Sequence, residues 1–154
     1  KTSLGSMSSL SQAELRTQFT EYLRDEKNDY VDKIVRSCSL FQNARTGSSS
    51  SSNNLASQGG PRVIVNLNDL RGLDSSLVNR MMATPVPYLI ALEAAANEIA
   101  ASESTDYTKL KNDGITLRIG FEGSFGSNHV SPRGLLSSCL RRLVCVEGIV
   151  TKCR

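Results

Sequence analysis

The chain has 154 residues, 39% of them hydrophobic, and a net charge of +3, which is the size of one domain with a real core and room for a fragment of a second. Aromatic residues are only 5% and Trp is absent, which argues against a surface built on base stacking. The charge is too small to imply a nucleic-acid partner by itself, and no run approaches the ~20 apolar residues of a membrane span.

Residues 1–6, KTSLGS, read as an expression leader ahead of a native start at Met7, and are set apart from the fold. The first predicted helix opens at Ser11. Ser11 and Glu14 have capping-box spacing, and Leu15, Phe19, Tyr22 and Leu23 recur at helical intervals. The polar run RDEKND interrupts this stripe, which Tyr30, Ile34 and Val35 resume, with Leu40 and Phe41 beyond. The pattern is that of a core-facing helix or pair of helices. Residues 43–61 are polar, Ser-rich and nearly without apolar anchors, so they read as a flexible surface insertion. RVIVNLNDL, from Arg62, reads as a short strand. Asp74 then caps a helix bearing Leu77, Val78 and Met81 on one face, and Pro85 ends it.

The clearest helix is PYLIALEAAANEIAAS, with Pro87 near its start and Leu89, Leu92, Ala96 and Ile99 in a stripe. STDYTKLKNDG reads as a polar loop. ITLRIGF alternates as a strand, with Ile115, Leu117, Ile119 and Phe121 on one face. SPRGLLSSCL is a predicted short helix with Ser131 as its cap and Pro132 in its first turn. A final strand begins at Leu143, and Gly148 marks a bend within it. Its partners would lie in later chain, so Val144, Val146 and Ile149 form an unpaired edge unless the helices shelter them.

Candidate chemistry is sparse. Gly120, Gly123 and Gly126 lack the following lysine of a phosphate-cradling loop and read as a tight turn. The cysteines are Cys38, Cys139, Cys145 and Cys153, with no metal-knuckle spacing and one histidine, His129. They read as free thiols, and no metal site is expected. From His129 onward five basic residues (Arg133, Arg141, Arg142, Lys152 and Arg154) face one acid, so this end carries +4 and the remainder −1. Two further readings stay open at this stage: a stand-alone, weak nucleic-acid-binding module using that basic segment, and a small hydrolase with Ser131 or Cys139 as nucleophile.

Two stretches carry a family resemblance. FEGSFGSNHVSPRGLLSSCLRRLVCVEGIVTKC, residues 121–153, and RVIVNLNDLR, residues 62–71, resemble the minichromosome maintenance (MCM) replicative helicases, and among them the third subunit of the eukaryotic heterohexamer. The Ser-rich insertion is not part of the family pattern, and Arg154 stands where the family usually has serine. The resemblance implies a mainly α architecture: a helical N-terminal subdomain over residues 7–112, then over 113–154 a strand, a short helix and the truncated first strand of an OB-fold. It implies a structural and regulatory domain without catalytic residues, metal or cofactor of its own, in a nuclear protein of DNA replication and the cell cycle. ATP and Mg would belong to the parent protein, a DNA-binding, ATP-hydrolysing helicase subunit. The implied partners are neighbouring MCM subunits, replication initiation and elongation factors, and DNA through the parent complex; no membrane is involved. Lys152 and Arg154 would lead toward the channel of the ring, and with Arg133, Arg141 and Arg142 are the candidate phosphate contacts. Ser131, Pro132 and Gly148 match family motif positions with structural roles.

Overall fold

A computed structural model describes residues 11–47 and 59–152. The expected leader, most of the Ser-rich insertion, Cys153 and Arg154 lie outside the described residues. The architecture is mainly α with a few short strands.

Helix α1 (Gln12–Arg24) starts at a complete capping box: Ser11 Oγ accepts from the Glu14 N–H, and the Glu14 carboxylate accepts from the Ser11 N–H at 2.7 Å. The RDEKND run ends it in a 3₁₀ turn, Glu26–Asn28, and Asp29 takes a left-handed conformation before helix α2 (Tyr30–Thr46). Helix α2 runs on into the stretch expected to be a loop, as far as Thr46. Strand β1 (Arg62–Asn66) is shorter than expected. Asn66 Oδ1 accepts from the Asn68 N–H at 2.8 Å and so starts helix α3 (Leu67–Leu73). Asp74 caps helix α4 (Ser75–Ala83) through the Leu77 N–H. Pro85 does not merely end α4; it occupies the first turn of helix α5 (Pro85–Glu103), where its missing N–H costs nothing.

The expected loop after α5 is a helix. Ser104 caps α6 (Thr105–Asn112) through the Tyr107 N–H, and Tyr107 and Leu110 are its buried anchors. Gly114, with φ +75°, then turns the chain. Strand β2 (Arg118–Glu122) lies parallel to β1, with Arg62 opposite Arg118 and Asn66 opposite Glu122.

The core is one cluster. Helix α5 contributes Ala91, Leu92, Ala95, Ala96, Ile99 and Ala100, and packs against α1, α2, α4, α6 and β2. Small residues on α5 let α1 approach closely, and Leu15, Phe19, Tyr22 and Leu23 fill the contact. Val63 and Val65 of β1, and Leu117 just before β2, add to the core. One half-buried polar side chain ties three elements. Asn97 on α5 donates to the Glu93 and Leu117 carbonyls and accepts from the Leu117 N–H at 2.9 Å and the Tyr107 hydroxyl.

Beyond β2 the chain is less regular. The expected helix over SPRGLLSSCL is two 3₁₀ turns, Pro132–Gly134 and Ser137–Cys139. Ser131 stands at the cap position, but its side chain makes no capping hydrogen bond. Pro132 is tolerated in the first turn, but Gly134, Ser137 and Ser138 that follow are weak helix formers, so no continuous α-helix forms. The last strand does find a partner. Strand β3 (His129–Val130) lies parallel to β4 (Cys145–Val146), and the Glu147 N–H donates to the Val130 carbonyl at 3.3 Å. Shelter reaches only its first residues: Leu143 and Val144 are half-buried, whereas Ile149 is 93% exposed.

Candidate functional site

The two stretches that carry the resemblance meet in space. Asn68, on the first turn of α3, holds the loop that follows β2. Its Oδ1 accepts from Arg71 Nη1 at 2.9 Å and from the Ser124 N–H at 3.3 Å. Arg71 also donates through Nη2 to the Ser124 carbonyl. The loop passes so near that a Cβ on Gly123 would sit 2.9 Å from Asn66 Oδ1, and Gly123 has φ +98°. Only glycine meets both conditions without strain. A second clasp follows: Asn128 Nδ2 donates to the Leu143 carbonyl at 2.8 Å, and the Leu143 N–H donates to the Met82 carbonyl at 3.0 Å.

Between the clasps lies a polar cleft of about 640 Å³, lined among others by Arg71, Asn79, Met82, Ser127, Asn128 and Arg142. Of the five basic residues singled out in the sequence, Arg142 lines this cleft. Arg133, Arg141 and Lys152 are exposed outside it, and Arg154 lies outside the described residues. None of the four described cations has a carboxylate within 4 Å among the described residues. Arg71 was not singled out. Its signal was its place at the end of the RVIVNLNDLR run, but isolated arginines on polar faces rarely stand out.

His129 Nε2 lies 3.1 Å from Glu147 Oε2, bracketing the β3–β4 pair on the surface. Cys139 Sγ faces the Gly134 carbonyl at 3.7 Å. Among the described residues no hydrogen bond joins His129 to Ser131 or Cys139, so no nucleophile–base pair forms there. No group of three His, Cys, Asp or Glu side chains among the described residues could hold a metal ion. Gly148 packs against Pro132: a Cβ at residue 148 would meet Pro132 Cγ at 2.8 Å. The glycine therefore permits close backbone approach rather than a bulge in a strand.

The shifted ionisable groups sit on the helices. Burial pushes the Cys38 thiol up to about 11, with the Asp106 charge adding to it. Burial also raises the phenols of Tyr22, assisted by the Tyr30 hydroxyl, and of Tyr107. Hydrogen bonds from Ser39 and then Lys109 hold the Asp106 carboxyl below its ordinary range. These shifts belong to core packing and helix pairing, not to an open pocket.

No family model matches the chain. Curated relatives do. It is 47% identical over 92 residues to the DNA replication licensing factor MCM3 of Gallus gallus, 60% of this chain and 11% of that protein. The maternal DNA replication licensing factor mcm3 of Xenopus laevis is 48% identical over the same length. The sequence resembles that of MCM3. MCM3 homolog 1 of Zea mays is 39% identical, again over 60% of this chain. The chain thus spans about a tenth of the length of these MCM3 relatives. In fold it is similar to the crystal structure of the N-terminal domain of an archaeal MCM, with a TM-score of 0.55 at 19% identity, covering 92% of this chain and 48% of that one. At that identity the likeness is one of fold.

Proposed function

We propose that this chain is the N-terminal structural and regulatory domain of a subunit of the hexameric, ATP-dependent replicative DNA helicase. It acts in the initiation and elongation of DNA replication, in the nucleus, through contacts with neighbouring MCM subunits and replication factors. The observation that carries the reading is a convergence: a sequence resembling MCM3 takes up the fold of an archaeal MCM N-terminal domain. ATP, Mg and the unwinding chemistry belong to the parent protein, since the sequence contains no G-x-x-x-x-G-K-[ST] run.

The module works by holding a shape. Asn68 and Arg71 lock the segment after β2 onto the helical bundle, and that segment leads into β4. Leu136, Leu140, Ile149 and Val150 there are 66–93% exposed. Exposed apolar side chains of this kind support continuation into an OB-fold and contact with further protein.

Replacing the matching region of Gallus gallus MCM3 with residues 11–152 tests the reading. The chimera is expected to enter the hexamer with the other subunits and to support unwinding. A chimera that folds but is left out of the ring contradicts it.

A second reading is weak phosphate binding, favoured by Arg133, Arg141, Arg142 and Lys152, which are exposed and have no carboxylate within 4 Å among the described residues. Fluorescence anisotropy with single- and double-stranded DNA tests it. The first reading predicts binding that is lost near physiological salt; binding that remains measurable there, falls steeply as salt rises further and is lost on charge reversal at these four residues would establish the second.

A further inference from the structure

A groove between α2 and the start of β1 carries cations without counter-charges among the described residues. On α2, Lys33, Arg36, Ser37 and Leu40 follow at helical spacing and face Gly60, Pro61 and Arg62 across a groove of about 360 Å³. The Ser37 hydroxyl donates to the Arg62 carbonyl at 2.8 Å and fixes the two walls together. Phe41 and Pro61 form a buried apolar base, and Leu40 is 59% exposed at the rim.

Arg118 stands directly opposite Arg62 in the parallel sheet, so their side chains share its outer face. The stem of Arg62 lies across Gly120, where a Cβ would be 3.4 Å from Arg62 Cδ. Arg62 and Arg118 thus both project from the exposed face of the sheet. All four cations are exposed, and among the described residues none has a carboxylate within 4 Å. Asp32, next to Lys33 on α2, and Glu122, at the far end of the same sheet face, pair with none of them. The Lys33 ammonium lies over the Tyr30 ring, 4.5 Å from its centroid.

Like charges held together without counter-charges cost energy in the free protein, and an anionic partner relieves that cost. The apolar base selects among anions. Phe41 and Pro61 are buried, so the groove offers no exposed aromatic face for a base to stack on, while Leu40 offers a contact for an aliphatic or aromatic side chain. We propose that this groove docks an acidic segment of a partner protein carrying an apolar anchor between its carboxylates. The inference does not depend on the helicase reading, because it rests on this surface alone.

The test is a titration of the full chain, at near-physiological salt, into three labelled probes. They are a peptide of glutamates and aspartates around one phenylalanine, polyglutamate of equal charge, and single-stranded DNA of equal charge. The expected order is the phenylalanine peptide ahead of both others. In R36E/R62E, and separately in K33E/R36E confined to α2, that affinity should fall at least about tenfold, as loss of charge-assisted contacts does. Leu40→Ser should erase the advantage over polyglutamate. DNA binding as tightly as the peptide, polyglutamate matching it, or no probe binding would each overturn the proposal. So would sedimentation showing that the chain alone dimerises through this face and is dissolved by the same charge reversals. The ranking on the unaltered chain is decisive whether or not a variant folds.

Discussion

Single side chains do structural work here that their residue types did not advertise. Asn97 is a polar group set among alanines, and it satisfies α5, α6 and the entry to β2 at once. Replacing it with alanine strands the Leu117 N–H and the Tyr107 hydroxyl, and should cost about 2–3 kcal/mol in urea unfolding. A change below ~0.5 kcal/mol would show that water replaces it. Gly123 is held at φ +98° beneath Asn66. Gly123→Ala should cost about 1–3 kcal/mol and loosen the Asn68–Arg71 clasp, seen as faster amide exchange at Ser124. Cys38 is fully buried, whereas Cys139 and Cys145 are half-buried. Iodoacetamide should therefore modify Cys139 and Cys145 and spare Cys38 until the chain unfolds, which peptide mass spectrometry would read. The raised thiol also sets a pH dependence. A folded-state value above the usual 9.0 means that the native state holds the proton more tightly than the unfolded chain. The resulting stability is full below pH ~9 and is lost as the pH rises through about 11. Cys38→Ala should flatten that part of the alkaline limb, leaving the contribution of Tyr22 and Tyr107, whose phenols burial also raises; an unchanged limb would count against the burial argument.

At the scale of elements, what the sequence made legible follows periodicity and caps. The capping box at Ser11, the resumed stripe from Tyr30, the Asp74 cap and the alanine-rich α5 stand where the pattern put them, because each offers several apolar residues or a chemically specific cap. Helix α6 was not legible: it buries only Tyr107 and Leu110 in a polar run that ends in Asn-Asp-Gly, so its stability comes from tertiary contact with α2 and α5. The strand from Arg62 was read too long, since Leu67 and Leu70 continue an apolar pattern while the chain switches from period two to helical period at the Asn66 cap. The short helix after Ser131 failed for the opposite reason, lacking enough helix formers to extend past one turn. The pairing of β4 with β3 spans only two residues, which no sequence pattern resolves. Of the candidate site, the motif glycines were visible. The clasp that gives Gly123 its meaning was not, because it joins residues more than fifty positions apart. Gly148→Val tests the other close approach: it should part the chain from Pro132 and lower the melting temperature by several degrees. An unaltered melting curve would mean that the β4 segment is not held there.

For the molecule as a whole, two surfaces divide the work. The segment after β2 carries exposed apolar residues, and α2 with the start of β1 bears the cationic groove. The helical core is stapled at the surface by Arg16 to Glu98 and Arg45 to Asp113. Those staples contribute only about 0–1 kcal/mol each, so rigidity comes from the packed core. The measurement that bears most directly on this account is analytical ultracentrifugation of the chain mixed with each MCM subunit other than MCM3 at near-physiological salt. The account predicts a stoichiometric complex with at least one neighbouring subunit, unaffected by added DNA. A chain that stays free of every subunit yet sediments with DNA would contradict it.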